Sequence, residues 1–146
     1  MRYAVIGAGA MGYRYGLHLI EQAGCQVDFI DTWEPNVETV RKQGGVWVQR
    51  DHKGRHLVPV NIYYPEDYAG DPDVWIVFMK QMQLENMLER CADAGLFKDH
   101  QTVFTAMNGL GHRRYRDRAQ RSRRCGLHGR PGNRVHAPVR LRQRVP

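Results

Sequence analysis

Val5-Ile6-Gly7-Ala8-Gly9-Ala10-Met11-Gly12 decides how the rest of the chain is read. Residues 7–12 spell G-x-G-x-x-G. They follow the short apolar run Tyr3-Ala4-Val5-Ile6 and open a segment with helical periodicity. A glycine triplet in that context predicts a strand–turn–helix that receives the pyrophosphate of a dinucleotide. Gly7 permits the tight turn, Gly9 lets the backbone approach the phosphates, and Gly12 lets the helix pack close to its strand. The intervening Ala8, Ala10 and Met11 place their amides in the same turn. Roughly half a positive charge at the helix N-terminus favours an anion there. Asp31 ends the next apolar run, nineteen residues beyond Gly12. A carboxylate at that point accepts the ribose hydroxyls of NAD and repels the 2′-phosphate of NADP; capping the following helix is the other use open to it.

Outward from this turn, strands alternate with helices. The helix runs from about Ala10 to Ala23, with Gly12, Gly16, Leu19, Ile20 and Ala23 on one face and Gly24 as its stop. Val27–Ile30 reads as a second strand. A helix follows through Val37 and Val40, with Pro35 in its first turn and Gly44-Gly45 at its end. Residues 45–64 read as β-rich, a hairpin around Asp51-His52-Lys53-Gly54 leading into a sheet strand. Val74–Met79 is a buried strand, Gln83–Ala94 a helix with Leu84, Met87, Leu88 and Cys91 on one stripe, and Thr102–Met107 a last strand. The expected fold is α/β: a Rossmann-type, doubly wound, mainly parallel sheet of about five main strands. Gly7–Gly12, Lys80–Gln83 and Asn108–Gly111 all follow strand carboxyl ends, the edge where such sheets bind ligands.

Two further residues stand out at that edge. Lys80 ends the most apolar strand, where an ammonium reaches a cofactor phosphate, a ribose or a substrate carboxylate, unless it merely snorkels to solvent. Asn108 offers an amide to cofactor and substrate, or closes an Asx-turn. His52 and His56 lie four apart without a third ligand and read as solvated loop histidines, so no metal is expected.

The net charge of +7 belongs to one end of the chain. Ten basic residues face fourteen acidic ones before position 113, whereas twelve arginines face the lone Asp117 after it. Residues 113–146 lack Ile, Phe, Trp and Met and show no periodicity. The expected division is therefore 1–112, an incomplete nucleotide-binding domain, and 113–146, a disordered basic tail. Its Arg, Gly, Pro and His content is what a GC-rich gene read out of frame yields, so a frameshift near codon 112 is the expectation. A genuine basic arm would bind nucleic acid only nonspecifically, through phosphate charge, since Tyr115 is its one aromatic residue. Three cysteines without C-x-x-C spacing fit reduced thiols, and neither a membrane-length apolar run nor a signal peptide is visible. The cytoplasm is the expected compartment, with no membrane partner.

Residues 1–112 resemble the N-terminal half of the ketopantoate reductases (2-dehydropantoate 2-reductases). The resemblance lies in Val5–Gly12, in Phe29-Ile30-Asp31, in Lys80-Gln81-Met82-Gln83 and in Asn108-Gly109-Leu110-Gly111-His112. The glycine loop is common to many dehydrogenases; the strand-end lysine with Asn-Gly-x-Gly after the next strand is far more particular. The resemblance implies NADP(H)-dependent reduction of 2-dehydropantoate to pantoate, a small-molecule 2-keto acid substrate, and cofactor and substrate contacts at Lys80 and Asn108. Asp31 stands where many members carry a basic residue for the 2′-phosphate, which keeps NAD(H) open. The family's catalytic lysine and glutamate belong to a second, helical domain, so no catalytic residue is assigned in this chain and the chain alone is expected to be inactive. A fragment of a 3-hydroxyacid or glycerol-phosphate dehydrogenase, or a non-catalytic nucleotide-binding module with a nucleic-acid-binding arm, are the alternative readings.

Overall fold

The structure, a computed structural model, describes residues 1–49 and 54–107. In chain order its elements are β1 (Arg2–Ile6), α1 (Ala10–Ala23), β2 (Gln26–Ile30), α2 (Glu34–Gln43), β3 (Gly45–Val48), β4 (His56–Pro59), β5 (Asn61–Tyr63), a 3-10 turn (Pro65–Asp67), β6 (Val74–Val77), α3 (Gln81–Asp93) and β7 (Thr102–Thr105). Five strands form one parallel sheet in the order β5-β2-β1-β6-β7. The chain winds outward from β1 through β2 to β5, then returns to β6 on the other side of β1.

Strand alternation splits the core in two. Ala4 and Ile6 of β1, Trp75 and Val77 of β6 and Ile30 of β2 face one side, where Leu84, Met87 and Cys91 of α3 cover them. Val5, Val27, Phe29 and Ile76 face the other and pack with Val37 and Val40 of α2. A sheet covered on both faces explains why its central strands are continuous apolar runs. Phe29 and Trp75 are fully buried, a burial worth about 1.5–3 kcal/mol for each large side chain. Gly16 brings α1 onto this surface, because a Cβ there would run into the Phe29 ring.

The expected α/β sheet and its five main strands are present. β3 and β4 pair antiparallel as a separate hairpin, and β5 then joins the main sheet beside β2. Three details differ from expectation. β6 ends at Val77, not Met79: after Phe78 N–H bonds the Ile6 carbonyl at 2.8 Å, Met79 and Lys80 turn toward α3. α3 accordingly starts at Gln81, two residues early. His56 is not a free loop histidine, since its Nε2 lies 2.7 Å from Glu21 Oε1 of α1. His52, Asn108–His112 and the arginine-rich tail 113–146 lie outside the described residues. No helix among the described residues is long and apolar enough to cross a membrane, and no group of three or more His, Cys, Asp or Glu among them is placed to hold a metal ion.

Candidate functional site

Strand order reverses at β1, and the carboxyl ends of β1 and β6 lie side by side there. Open α/β sheets form their ligand crevice at such a switch point. The glycine loop rises from β1 into this place. Gly7 adopts φ +93°, a conformation that L side chains rarely take, and a Cβ on it would strike the Phe78 carbonyl oxygen. Its N–H donates to the Ile30 carbonyl at 2.8 Å. A Cβ on Gly12 would overlap the Gly7 carbonyl, which is the close helix–strand packing the motif predicts. Gly9 is different. Nothing lies within 4 Å of where its Cβ would be, so its backbone faces open space.

That space is polarised for an anion. Helix α1 has no side-chain cap and no acidic residue in its first turn. The N–H groups of Gly9, Ala10 and Met11 keep no partner among the described residues, as the first turn of a helix requires unless something else caps it. Met11 is about half exposed at the rim, and four residues on, Tyr15 stacks on Phe78 at 5.0 Å between ring centroids.

The inner side of the loop is held by the second βα unit. Asp31 Oδ2 accepts the Ala8 N–H at 2.8 Å, while Oδ1 accepts the Thr32 and Trp33 N–H groups at 2.7 and 2.9 Å. Asp31 thus ties the glycine loop to the Thr32-Trp33 turn that leads into α2, while the helix itself takes no side-chain cap. Asn36, in the first turn of α2, donates through Nδ2 to the Ala8 carbonyl at 3.0 Å and, more distantly, to Asp31 Oδ2 at 3.5 Å. Tyr13 closes the ring by donating to Asn36 Oδ1 at 3.0 Å. Burial foremost, then the nearby Asp31 charge, push the Tyr13 phenol up to about 12 against the opposing effect of its Asn36 bond, so it stays a protonated donor at neutral pH. Neither Asn36 nor Tyr13 was expected from sequence. A lone asparagine three residues into a helix carries no signal by itself.

Lys80 is exposed, immediately precedes α3, and makes no ion pair among the described residues. It stands at the β6 end beside the loop, since Phe78 and Met79 both border Gly7. Asn108 lies outside the described residues, so the structure brings together Gly7–Gly12, Asp31 and Lys80 of the expected set.

A family model described as ketopantoate reductase PanE/ApbA matches residues 3–127. The chain belongs to this family. The ketopantoate reductase match continues past His112, the boundary expected from composition. Among curated relatives, the 2-dehydropantoate 2-reductase of Lactococcus lactis subsp. lactis (strain IL1403) is 32% identical over 115 residues, covering 77% of this chain and 35% of the relative. The chain therefore spans about a third of the length of the curated relatives it matches. Among solved structures, D-mandelate dehydrogenase in a ternary complex with NADH and anilino(oxo)acetate is 33% identical with a TM-score of 0.72, covering 81% of this chain and 37% of that one. The 2-dehydropantoate 2-reductase of Geobacter metallireducens GS-15 is 27% identical with a TM-score of 0.62, covering 81% and 37%. The ketopantoate reductase family and its NADH-bound neighbour together indicate a nicotinamide cofactor. The geometry of the glycine loop fits one: the open side of Gly9 and the unclaimed amides of α1 match a diphosphate in shape and charge.

Proposed function

We propose that this chain is the dinucleotide-binding portion of an enzyme that reduces the ketone of a 2-keto acid, with 2-dehydropantoate as the substrate. The observation that carries the reading is the open backbone at Gly9 in front of an uncapped helix N-terminus. When bound, the reduced nicotinamide supplies hydride to the ketone carbon. The chain's own part is positioning. Gly9, Ala10 and Met11 hold the diphosphate through their N–H groups, and Lys80 directs its ammonium at the substrate carboxylate or the cofactor ribose. The family resemblance gives Asn108 an amide contact to cofactor and substrate. A fixed orientation of this kind is worth far more than its contacts alone, because the reacting atoms must meet at about 3–3.5 Å.

For the cofactor we favour NADH. Asp31 puts a carboxylate beside the ribose position, and Glu34 and Glu38 follow on α2. Residues 31–40 contain no lysine or arginine, and Arg41 is engaged by Glu38 and Asp67 at 3.8 and 3.0 Å. A 2′-phosphate would meet like charge there, and residues 31–40 offer it no cation in return. Three backbone amides and, at 3.5 Å, the Asn36 amide take up the acceptor sites of Asp31, so a ribose hydroxyl would replace the long Asn36 bond. A second substrate reading, an aromatic 2-keto acid, is favoured by the likeness to D-mandelate dehydrogenase.

Titrating NADH and NADPH against the fluorescence of Trp33, which is 66% exposed two residues beyond Asp31, tests both steps. Binding of NADH tighter than NADPH is expected. Tighter NADPH would reject the role given to Asp31, and binding of neither would reject the cofactor site.

A further inference from the structure

The face of the glycine loop turned away from the open space poses a separate question, because Ala8 is only 2% exposed and both of its backbone polar groups need partners. Its N–H goes to Asp31 at 2.8 Å and its carbonyl to Asn36 at 3.0 Å. The carbonyl has no other partner among the described residues. We infer that Asn36 is a positioning residue for dinucleotide binding: by holding the Ala8 carbonyl, with Tyr13 fixing its amide, it aims the free N–H groups of Gly9, Ala10 and Met11 outward.

Three observations support this. Asn36 reaches across from α2 to a loop 28 residues earlier, so the bond ties two βα units together rather than capping its own helix. Its own N–H already bonds the Trp33 carbonyl at 3.0 Å, which leaves the side chain free for the loop. Its orientation is determined chemically: the Tyr13 hydroxyl donates to Oδ1 at 3.0 Å, and the reversed amide would set Oδ1 against the Ala8 carbonyl. The amide therefore presents N–H to the loop permanently. If Asn36 is truncated, a buried carbonyl is orphaned, and it regains a partner only by shifting toward water. Ala8 adjoins Gly9, so that shift moves the donors the diphosphate needs.

The role rests on the dinucleotide reading above, and the test separates the two. ADP-ribose, which has the diphosphate but no nicotinamide, is titrated calorimetrically into the full 146-residue chain and into Asn36→Ala, Tyr13→Phe and Val37→Ala. Val37 is fully buried in the same turn of α2 and shares the core cluster with Ala8, but its aliphatic side chain has no donor or acceptor for the loop, so Val37→Ala reports lost packing without a lost hydrogen bond. Asn36→Ala should weaken ADP-ribose binding about three- to tenfold, from the net worth of one hydrogen bond. Tyr13→Phe should weaken it less, in the same direction, with folding retained. Val37→Ala should lower the melting temperature while leaving ADP-ribose affinity unchanged. Unchanged affinity in both Asn36→Ala and Tyr13→Phe overturns the positioning role, as does an equal loss in Val37→Ala. Failure of the unmodified chain to bind ADP-ribose overturns the dinucleotide reading and this role with it.

Discussion

Replacing Gly9 and Gly12 separately by alanine should divide binding from folding. At Gly9 the backbone already has φ −85°, which alanine adopts freely, and the new Cβ meets no protein atom within 4 Å. Alanine is a poorer N-cap than glycine by up to about 1 kcal/mol, whereas restricting the unfolded chain returns about 0.4–1 kcal/mol. The two offset, and Gly9→Ala should stay within about 1 kcal/mol of the unmodified stability. Its methyl group nevertheless projects into the space assigned to the diphosphate. Displacing one charge-assisted N–H bond there costs about 1.5–3 kcal/mol, roughly a 10- to 100-fold loss of affinity. Gly12→Ala behaves in the opposite sense. Its Cβ overlaps the Gly7 carbonyl oxygen and lies 3.1 Å from the Gly7 carbonyl carbon and 3.3 Å from Val5 Cγ1. Backbone cannot swing aside as a flexible side chain does, so about 1–3 kcal/mol of overpacking is expected. Urea denaturation and ADP-ribose calorimetry on both variants measure the four quantities. Wild-type affinity in Gly9→Ala would refute the placement of the diphosphate, and unchanged stability in Gly12→Ala would refute the packing role of the third glycine.

Gly16→Ala should also destabilise by about 1–3 kcal/mol, read from urea midpoints, because the Phe29 ring it meets is fully buried and has nowhere to turn. Trp75→Phe removes the buried 2.8 Å bond from Nε1 to Gln101 Oε1 along with part of the core; a loss of about 1–3 kcal/mol is expected in the same assay. The bidentate Arg90 fork at 2.6 and 2.8 Å holds the Glu66 carboxyl below its ordinary value near 4.5. A carboxyl lowered by folding stabilises above its unfolded value and loses that contribution as pH falls through the folded one. Stability should therefore decline below about pH 4.5, less steeply in Glu66→Gln, as followed by melting temperature against pH. Burial pushes the Cys91 thiol up to about 12, so Cys91 should resist maleimide at pH 8 in the native state and react only once unfolded, as peptide mapping by mass spectrometry will show.

Local pattern alone determined much of this protein. G-x-G-x-x-G after an apolar run fixes a strand, a tight turn and a helix through steric demands within six residues, and α1 spans the residues its periodicity predicts, Ala10–Ala23. The alternation of apolar runs with helical stripes likewise determined a parallel sheet, because only a sheet covered on both faces needs strands that are apolar throughout. The motif set at Lys80 and Asn108 marks the resemblance to the ketopantoate reductase family in the amino-acid sequence itself. Tertiary structure alone decided the rest. The sheet order placed β6 beside β1 and so brought Phe78 and Met79, at the strand end that leads to Lys80, against Gly7 from some seventy residues away. It also turned Asp31 inward: spacing predicts a carboxylate near a ribose, and only the folded chain shows its oxygens already accepting Ala8, Thr32 and Trp33 N–H groups. Asn36 and Tyr13 were invisible for the same reason. Their partner is one backbone carbonyl in a different βα unit, and a hydrogen bond to backbone leaves no residue-type signature at the other end for sequence to display.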